Sequence, residues 1–386
     1  MTTIFVSGAV ANKHRHGGSV WVRMSWAEGL RDLGFDVVFV EQIDETACVD
    51  EQGRPAAFED SENARVFEAA MAEFGFAGSA ALICPQGERI RGMARDELMG
   101  RAEGAELLVN ISGHLRWAPL VRRIQRRAYI DLDPGFTQIW HAGAGDAAGL
   151  EGHELHFTVG ENVGTERCVL PTGDIEWRPI RQPVVLDRWP VAGGDPAPGF
   201  TTVASWRGAY GRAAWKGRTY GLKAHEFRRF LELPRVTGLD FDVALDIHPD
   251  DRADIEALEV HGWRLVDTAS VASTRGFQRF VQSSSAEFSA AQGIYVETES
   301  GWFSDRTVRY LASGRPALVQ DTGLGDRLPV GEGLLVFGTL EEAAQRAREI
   351  ADDLPRHRAA ARRIAEEHFA AERSLAPLLE AAGVAP

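Results

Sequence analysis

Short runs of apolar residues recur along the chain, each closed by Gly, Ser or Asp and most of them followed by a segment of helical spacing. Ile4, Phe5 and Val6 make the first such run, ended by Ser7 and Gly8. After a polar loop, Val20, Met24, Ala27, Leu30 and Leu33 fall on one face of a helix. Gly34 then supplies a stop, because it accepts the left-handed backbone beyond a helix end. The run "FDVVFVE" is again a strand, so the pattern predicts a β-loop-α-β unit and a parallel sheet. "AELLVNIS" (105–112) and "RAYIDLD" (127–133) repeat the strand signature, with a short helix expected between them over 117–125.

A second series starts beyond "PVAGGDPAPG" (190–199), where Pro and Gly suit a connection better than an element interior. "FTTVASW", "FDVALDI", "WRLVD", "ALVQ" and "GLLVF" read as its strands, "GIYVE" (293–297) as a further strand-like run, and 250–260 as a helix. Thr339 and Glu342 form a capping box for a helix reaching about residue 351, and the pattern from His357 onward is helical. The fold class expected is α/β, with two Rossmann-like doubly wound domains facing a central cleft. Residues 1–189 make the first domain, 190–199 the linker, 200–360 the second domain, and 361–386 a helical segment that can cross back to the first. In open α/β sheets ligands bind beyond the carboxyl ends of the strands, and that places the chemistry in the cleft.

With 386 residues the chain exceeds one ordinary core, in keeping with two domains. A net charge of −14, without a long basic stripe, argues against a general nucleic-acid binder. Cys48, Cys84 and Cys168 are too scattered for a disulfide framework or a CxxC site. "MTTIFVSGAV" has no basic region ahead of its apolar run and reads as a strand, and no apolar segment reaches bilayer length; a cytoplasmic enzyme or binding protein is expected.

The candidate chemistry lies at strand ends. Gly17 and Gly18 allow close backbone approach to a ligand, and Ser19 can cap the first helix. Neither GxGxxG nor a Walker A sequence is present, which removes the usual support for nicotinamide binding or P-loop hydrolysis. His14 and His16 sit where an imidazole could take a hydroxyl proton; two histidines one residue apart also make half a metal site, but no third ligand joins them. Asp133, at the end of a strand with Asp131, can serve as a base, orient a histidine, or cap the Pro134-Gly135 turn. "SGHLRW" offers His114, Arg116 and Trp117 as acceptor contacts. In the second half, Arg207 and Lys216 are candidate diphosphate contacts within a glycine-rich basic loop that also holds Arg212 and Arg218. Ser304, Asp305, Arg306 and Thr307 open a helix, where amides and side chains together make an anion site, with Asp305 as a cap, ion-pair or sugar-hydroxyl group. Glu287 can accept ribose or sugar hydroxyls.

With Gly17-Gly18 before the first helix and "GWFSDRTVRYLASGRP" (301–316), the chain resembles sugar-nucleotide-dependent glycosyltransferases of the GT-B fold, nearest to a poorly described bacterial set. Anchored on Gly314-x-Pro316, the two glutamates of many retaining members fall on Gly301 and Arg309, so that signature is missing; Glu299 lies two residues out of register. The resemblance implies a nucleoside diphosphate-sugar donor, of UDP or TDP type, in the second domain. It places the diphosphate at Ser304 to Thr307 with Lys216 or Arg207, and Glu287 as a hydroxyl contact. It implies an acceptor around His14 to Ser19, Ser112 to Trp117 and Asp133 to Trp140, and no permanently bound cofactor or metal. His16, ahead of His14 and Asp133, is the expected base of an inverting transfer. A nucleotide-sugar epimerase of the same fold and a non-catalytic nucleotide-sugar-binding protein are the alternatives. The acceptor and the oligomeric state stay open; no nucleic-acid partner and no integral membrane segment are expected.

Overall fold

The computed structural model describes all residues except 86, 145–147, 195–196 and 209. Eight strands build the first sheet: β1 (Thr3–Ser7), β2 (Asp36–Gln42), β3 (Ala80–Cys84), β4 (Arg89–Gly92), β5 (Ala105–Ile111), β6 (Arg126–Asp131), β7 (Leu155–Thr158) and β8 (Trp177–Pro179). Their spatial order is β4-β3-β2-β1-β5-β6-β7-β8, parallel apart from the antiparallel β3–β4 edge. Phe5 of β1 pairs with Val38 on one side and Leu108 on the other. The strands at the sheet centre are buried on both faces, which is why they read as continuous apolar runs.

The second sheet has six parallel strands: β9 (Ala197–Ser205), β12 (Phe241–Asp246), β13 (Trp263–Leu265), β14 (Ser284–Ser289), β15 (Ala317–Gln320) and β16 (Leu334–Phe337). They run in the order β13-β12-β9-β14-β15-β16, and a separate hairpin, β10 (Ala214–Trp215) and β11 (Arg218–Thr219), follows β9. Both sheets therefore reverse strand order beside their first strand, between β1 and β5 and between β9 and β14. Those two switch points are where a doubly wound sheet opens a crevice at its strand ends.

Two local expectations change. "GIYVE" is a short helix, Gly293–Glu297, and the strand before it is the polar "SSAEFS" of β14. Each polar side chain of that central strand has a local partner: Ser284 Oγ lies 2.6 Å from Thr201 Oγ1, Ser285 Oγ donates to the Ala197 carbonyl, and Glu287 pairs with Arg306. Ser19 does not cap the first helix, Gly17–Asp32; His16 holds the N-cap position, without a side-chain bond. The Thr339–Glu342 box forms, with the threonine oxygen accepting from the Glu342 amide and the glutamate accepting from the Thr339 amide.

Several bonds tie the halves together. Trp21 Nε1 donates to the Thr274 carbonyl, Thr274 Oγ1 donates to Glu73, and Asn162 Nδ2 donates to the carbonyls of Glu299 and Gly323. The chain passes between them twice at one place, where Val184 and Ala370 form a parallel bridge. Beyond it, the helix Ala371–Ala382 packs on Gly17–Asp32, with Ala371 and Leu375 against the bare face of Gly29. No helix of the described residues is long and apolar enough to cross a membrane.

Candidate functional site

Near the first switch point, the loops after β1 and β6 are each held by a buried acid. The one after β1 is held by Glu41 of β2, whose carboxylate accepts from the amides of Val10, Ala11 and Asn12 at 2.7–2.8 Å. Burial still pushes that carboxyl up to about 7. The loop after β6 is held by Asp131, which accepts from Thr137, Gln138, Thr158 and the Asp133 amide. These two acids have every oxygen occupied and act as scaffolding.

Asp133 differs. It projects into the seam between domains, and two tyrosines of the second domain donate to it, Tyr210 and Tyr295, each at 3.3 Å. Burial and the neighbouring Asp131 raise its carboxyl to about 6, against the pull of Arg23 and the tyrosine hydroxyls. Around it Phe136 and Trp140 of the first domain pack on Tyr210, at ring distances of 5.0 and 4.8 Å, while Tyr295 stacks on Trp302. A carboxyl in an aromatic box at this value is set for proton transfer near neutral pH.

The histidines are placed otherwise. His14 Nδ1 accepts from Asn63, which turns the ring toward the helix Glu62–Glu73. His16 is exposed at the rim, and desolvation together with Lys13 holds it below its ordinary range. Gly17 and Gly18 make their close approach to protein: a Cβ at Gly17 would lie 2.2 Å from the Ser273 carbonyl, and one at Gly18 2.9 Å from the Phe277 ring. Their bareness lets the two domains meet.

On the second domain, Arg306 is almost wholly buried and turned inward. Its Nε donates to Glu287 at 2.5 Å, Nη1 to the Val203 carbonyl at 2.8 Å, and Nη2 to Ser289 at 2.7 Å. Glu287 is fully buried, so its place is beneath the site as the counter-ion of Arg306. Ser304 takes the N-cap position of the Asp305–Ala312 helix with its hydroxyl free of the cap bond. Ser304 and Thr307 line a small cavity with Ser289, Trp302 and Gln320. The first-turn amides of this helix have no acceptor within the helix. Asp305 faces the seam, within electrostatic reach of Arg23 and Lys223.

Arg207 is exposed and paired with Asp251, and Lys216 is exposed in the β10–β11 turn with φ +48°. The cation that the fold brings to the helix start is Lys223. Burial and the nearby Arg306 lower its ammonium to about 8, while Asp305, Glu287 and Asp133 pull the other way. Sequence reading passed over Lys223 because it opens the helix Lys223–Arg228 in an ordinary amphipathic stretch, outside the glycine-rich loop. The positions of the missing glutamates have other work. Gly301 lies against Asn162, and buried Arg309 donates to the Trp21 carbonyl and Ser25 of the first domain.

No protein-family model matches the sequence, and no curated protein sequence does. Solved structures match over nearly the whole chain. An alpha-glucosyltransferase in complex with UDP and a 13-mer DNA containing a central A:G mismatch is 10% identical, covers 99% of each chain and gives a TM-score of 0.60. Anabaena HepE in complex with UDP-glucose is 10% identical over 99% of this chain and 100% of that one, at 0.57. A glycosyltransferase from Rickettsia africae is 12% identical over 99% and 97%, at 0.53. At such identities the likeness is one of architecture, and with two doubly wound sheets meeting at their switch points this chain has the GT-B fold.

Proposed function

We propose that this protein is a glycosyltransferase that moves a sugar from a nucleoside diphosphate-sugar to an acceptor hydroxyl, without a metal and with inversion. The observation that carries the reading is Asp133: a carboxyl raised to about 6 at the first switch point, facing a cationic helix start at the second. The diphosphate lies at the Asp305–Ala312 amides beside Lys223, with the Arg306–Glu287 pair stiffening the floor beneath it. UDP is the nucleotide to try first, since the alpha-glucosyltransferase and HepE structures hold UDP or UDP-glucose.

In this reading Asp133 takes the proton of the acceptor hydroxyl while its oxygen attacks the anomeric carbon. The bond to the diphosphate oxygen breaks, and its electron pair leaves on the nucleoside diphosphate. Lys223 and the helix amides meet that charge as it develops, in place of a metal ion. The geometry favours Asp133 over His16 as base, because the imidazole stands at the exposed rim.

Calorimetric titration with UDP, TDP, GDP and ADP in metal-free buffer tests the donor site; selective binding of one, weakened in Lys223→Gln, is expected. Turnover of the matching sugar nucleotide with and without acceptor then separates transfer from epimerisation. Inversion is read from the anomeric configuration of the product by NMR, and a retained configuration would remove Asp133 as a simple base.

A further inference from the structure

The first-domain rim carries positive charge that the protein leaves unused. Through most of the molecule, arginines have carboxylate partners: Arg188 with Glu28, Arg228 with Asp254 and Arg264 with Asp240 and Asp242 are examples. Lys13, in the loop after β1, has neither an ion pair nor a hydrogen bond to its ammonium among the described residues. Arg23, on the first helix beyond the glycine pair, makes among the described residues only a long 3.4 Å bond to the Ser19 carbonyl, and its Nε is buried with no partner among them.

The acids around them are committed elsewhere. Glu41 is occupied by three backbone amides, Asp131 by its four donors, and Asp133 by the two tyrosines. Asp305, across the seam, is the acid that acts most strongly on Arg23, and no ion pair within 4.0 Å forms among the described residues. His114, in the loop after β5, completes the group. Burial, Arg23 and Lys13 depress it to about 4, so at neutral pH it offers an N–H without further charge. Two cations without an ion-pair partner among the described residues and a neutral donor, on three elements of one rim and beside Asp133, form an oxyanion receptor.

We propose that this rim holds a phosphate group of the acceptor, gripped by Lys13 and Arg23 with His114 as a neutral donor. The acceptor is then a phosphorylated small molecule whose hydroxyl reaches Asp133. Two cations match a phosphate dianion; a carboxylate would leave one uncompensated. The word acceptor rests on the transferase reading above, whereas the anion site rests on the rim alone.

Inorganic phosphate is the probe, titrated by calorimetry into the full chain with and without saturating UDP, and acetate serves as the comparison anion. Phosphate should bind in the presence of UDP. Affinity should fall about tenfold or more in Lys13→Gln and in Arg23→Gln, the loss of one charge-assisted contact each. Lys223→Gln should retain it, and acetate should bind more weakly than phosphate. Thermal melts check that each variant folds. Phosphate binding abolished by UDP would mean that the anion site is the donor site, and would overturn the proposal. So would affinity indifferent to Lys13→Gln, or acetate equal to phosphate. If UDP fails to bind while phosphate binding still depends on Lys13, the rim site stands and the donor reading falls.

Discussion

The two rims of the cleft handle charge in opposite ways. On the second domain, Arg306 is neutralised by Glu287 and its remaining donors are spent on Val203 and Ser289, leaving partly buried Lys223 and the first-turn helix amides without a protein partner among the described residues. On the first, Glu41 and Asp131 are locked to backbone and hydroxyls, and the groups of the proposed acceptor site, Asp133, Lys13, Arg23 and His114, have shifted protonation without close ion pairs among the described residues. A rim with internal compensation suits a ligand of constant chemistry, such as the proposed diphosphate. A rim with uncompensated groups sits at higher energy when empty, and that energy is released only on binding the right partner.

Breaking the first rim should give the largest effect. Asp133→Asn keeps the shape and both tyrosine contacts but cannot accept a proton, so kcat should fall about 10²–10⁴-fold. In the parent enzyme kcat/KM should rise with pH through about 6 as Asp133 ionises. The same substitution should stabilise the fold. The folded carboxyl keeps its proton up to about 6 while the unfolded one, near its ordinary 3.8, has released it. Ionised Asp133 therefore costs stability, not at all below about pH 4 and in full above about 6. Asp133→Asn should gain about 1–3 kcal/mol at pH 7 in denaturant titrations, and nothing near pH 4.

The second rim should break through its core. Glu287→Ala strands a buried guanidinium and should cost about 3–5 kcal/mol of unfolding free energy. Lys223→Gln removes an ammonium that burial makes costly to keep charged, so stability at pH 7 should rise rather than fall, while UDP weakens about tenfold. Parent affinity should decline as pH rises through about 8, where free Lys223 loses its charge, and the variant should be flatter. His16→Ala and Arg207→Ala sharpen the contrast by doing little: turnover within about twofold for the first, and an unchanged melting temperature for the second, whose ion pair is solvent-exposed.

The alternation of apolar runs and helical spacing made the two doubly wound sheets legible, because centrally placed parallel strands are apolar on both faces. β14 escaped for the opposite reason: "SSAEFS" is buried, and its polar groups find partners on β9 and the Asp305–Ala312 helix that no local pattern announces. Asp133 was legible as a strand-end acid. What favours it over His16 in the proposed mechanism was not, since the tyrosines that box it come from 77 and 162 residues away. In the proposed donor site Lys223 takes the place expected of Arg306 for a similar reason. The helix-start sequence shows a cation at 306, but only the neighbouring strand reveals that Glu287 claims it.

The side-by-side crossing at Val184 and Ala370 has a mechanical consequence. One tether would let the second domain swivel freely about the first. Two adjacent tethers, bonded to each other through the Val184 amide to the Phe369 carbonyl and the Ala371 amide to the Val184 carbonyl, behave as the pinned edge of a door. Such a pair resists twisting of one half against the other more than a single strand of chain would. The crossing therefore helps to keep Tyr210 and Tyr295 in register with the same carboxylate.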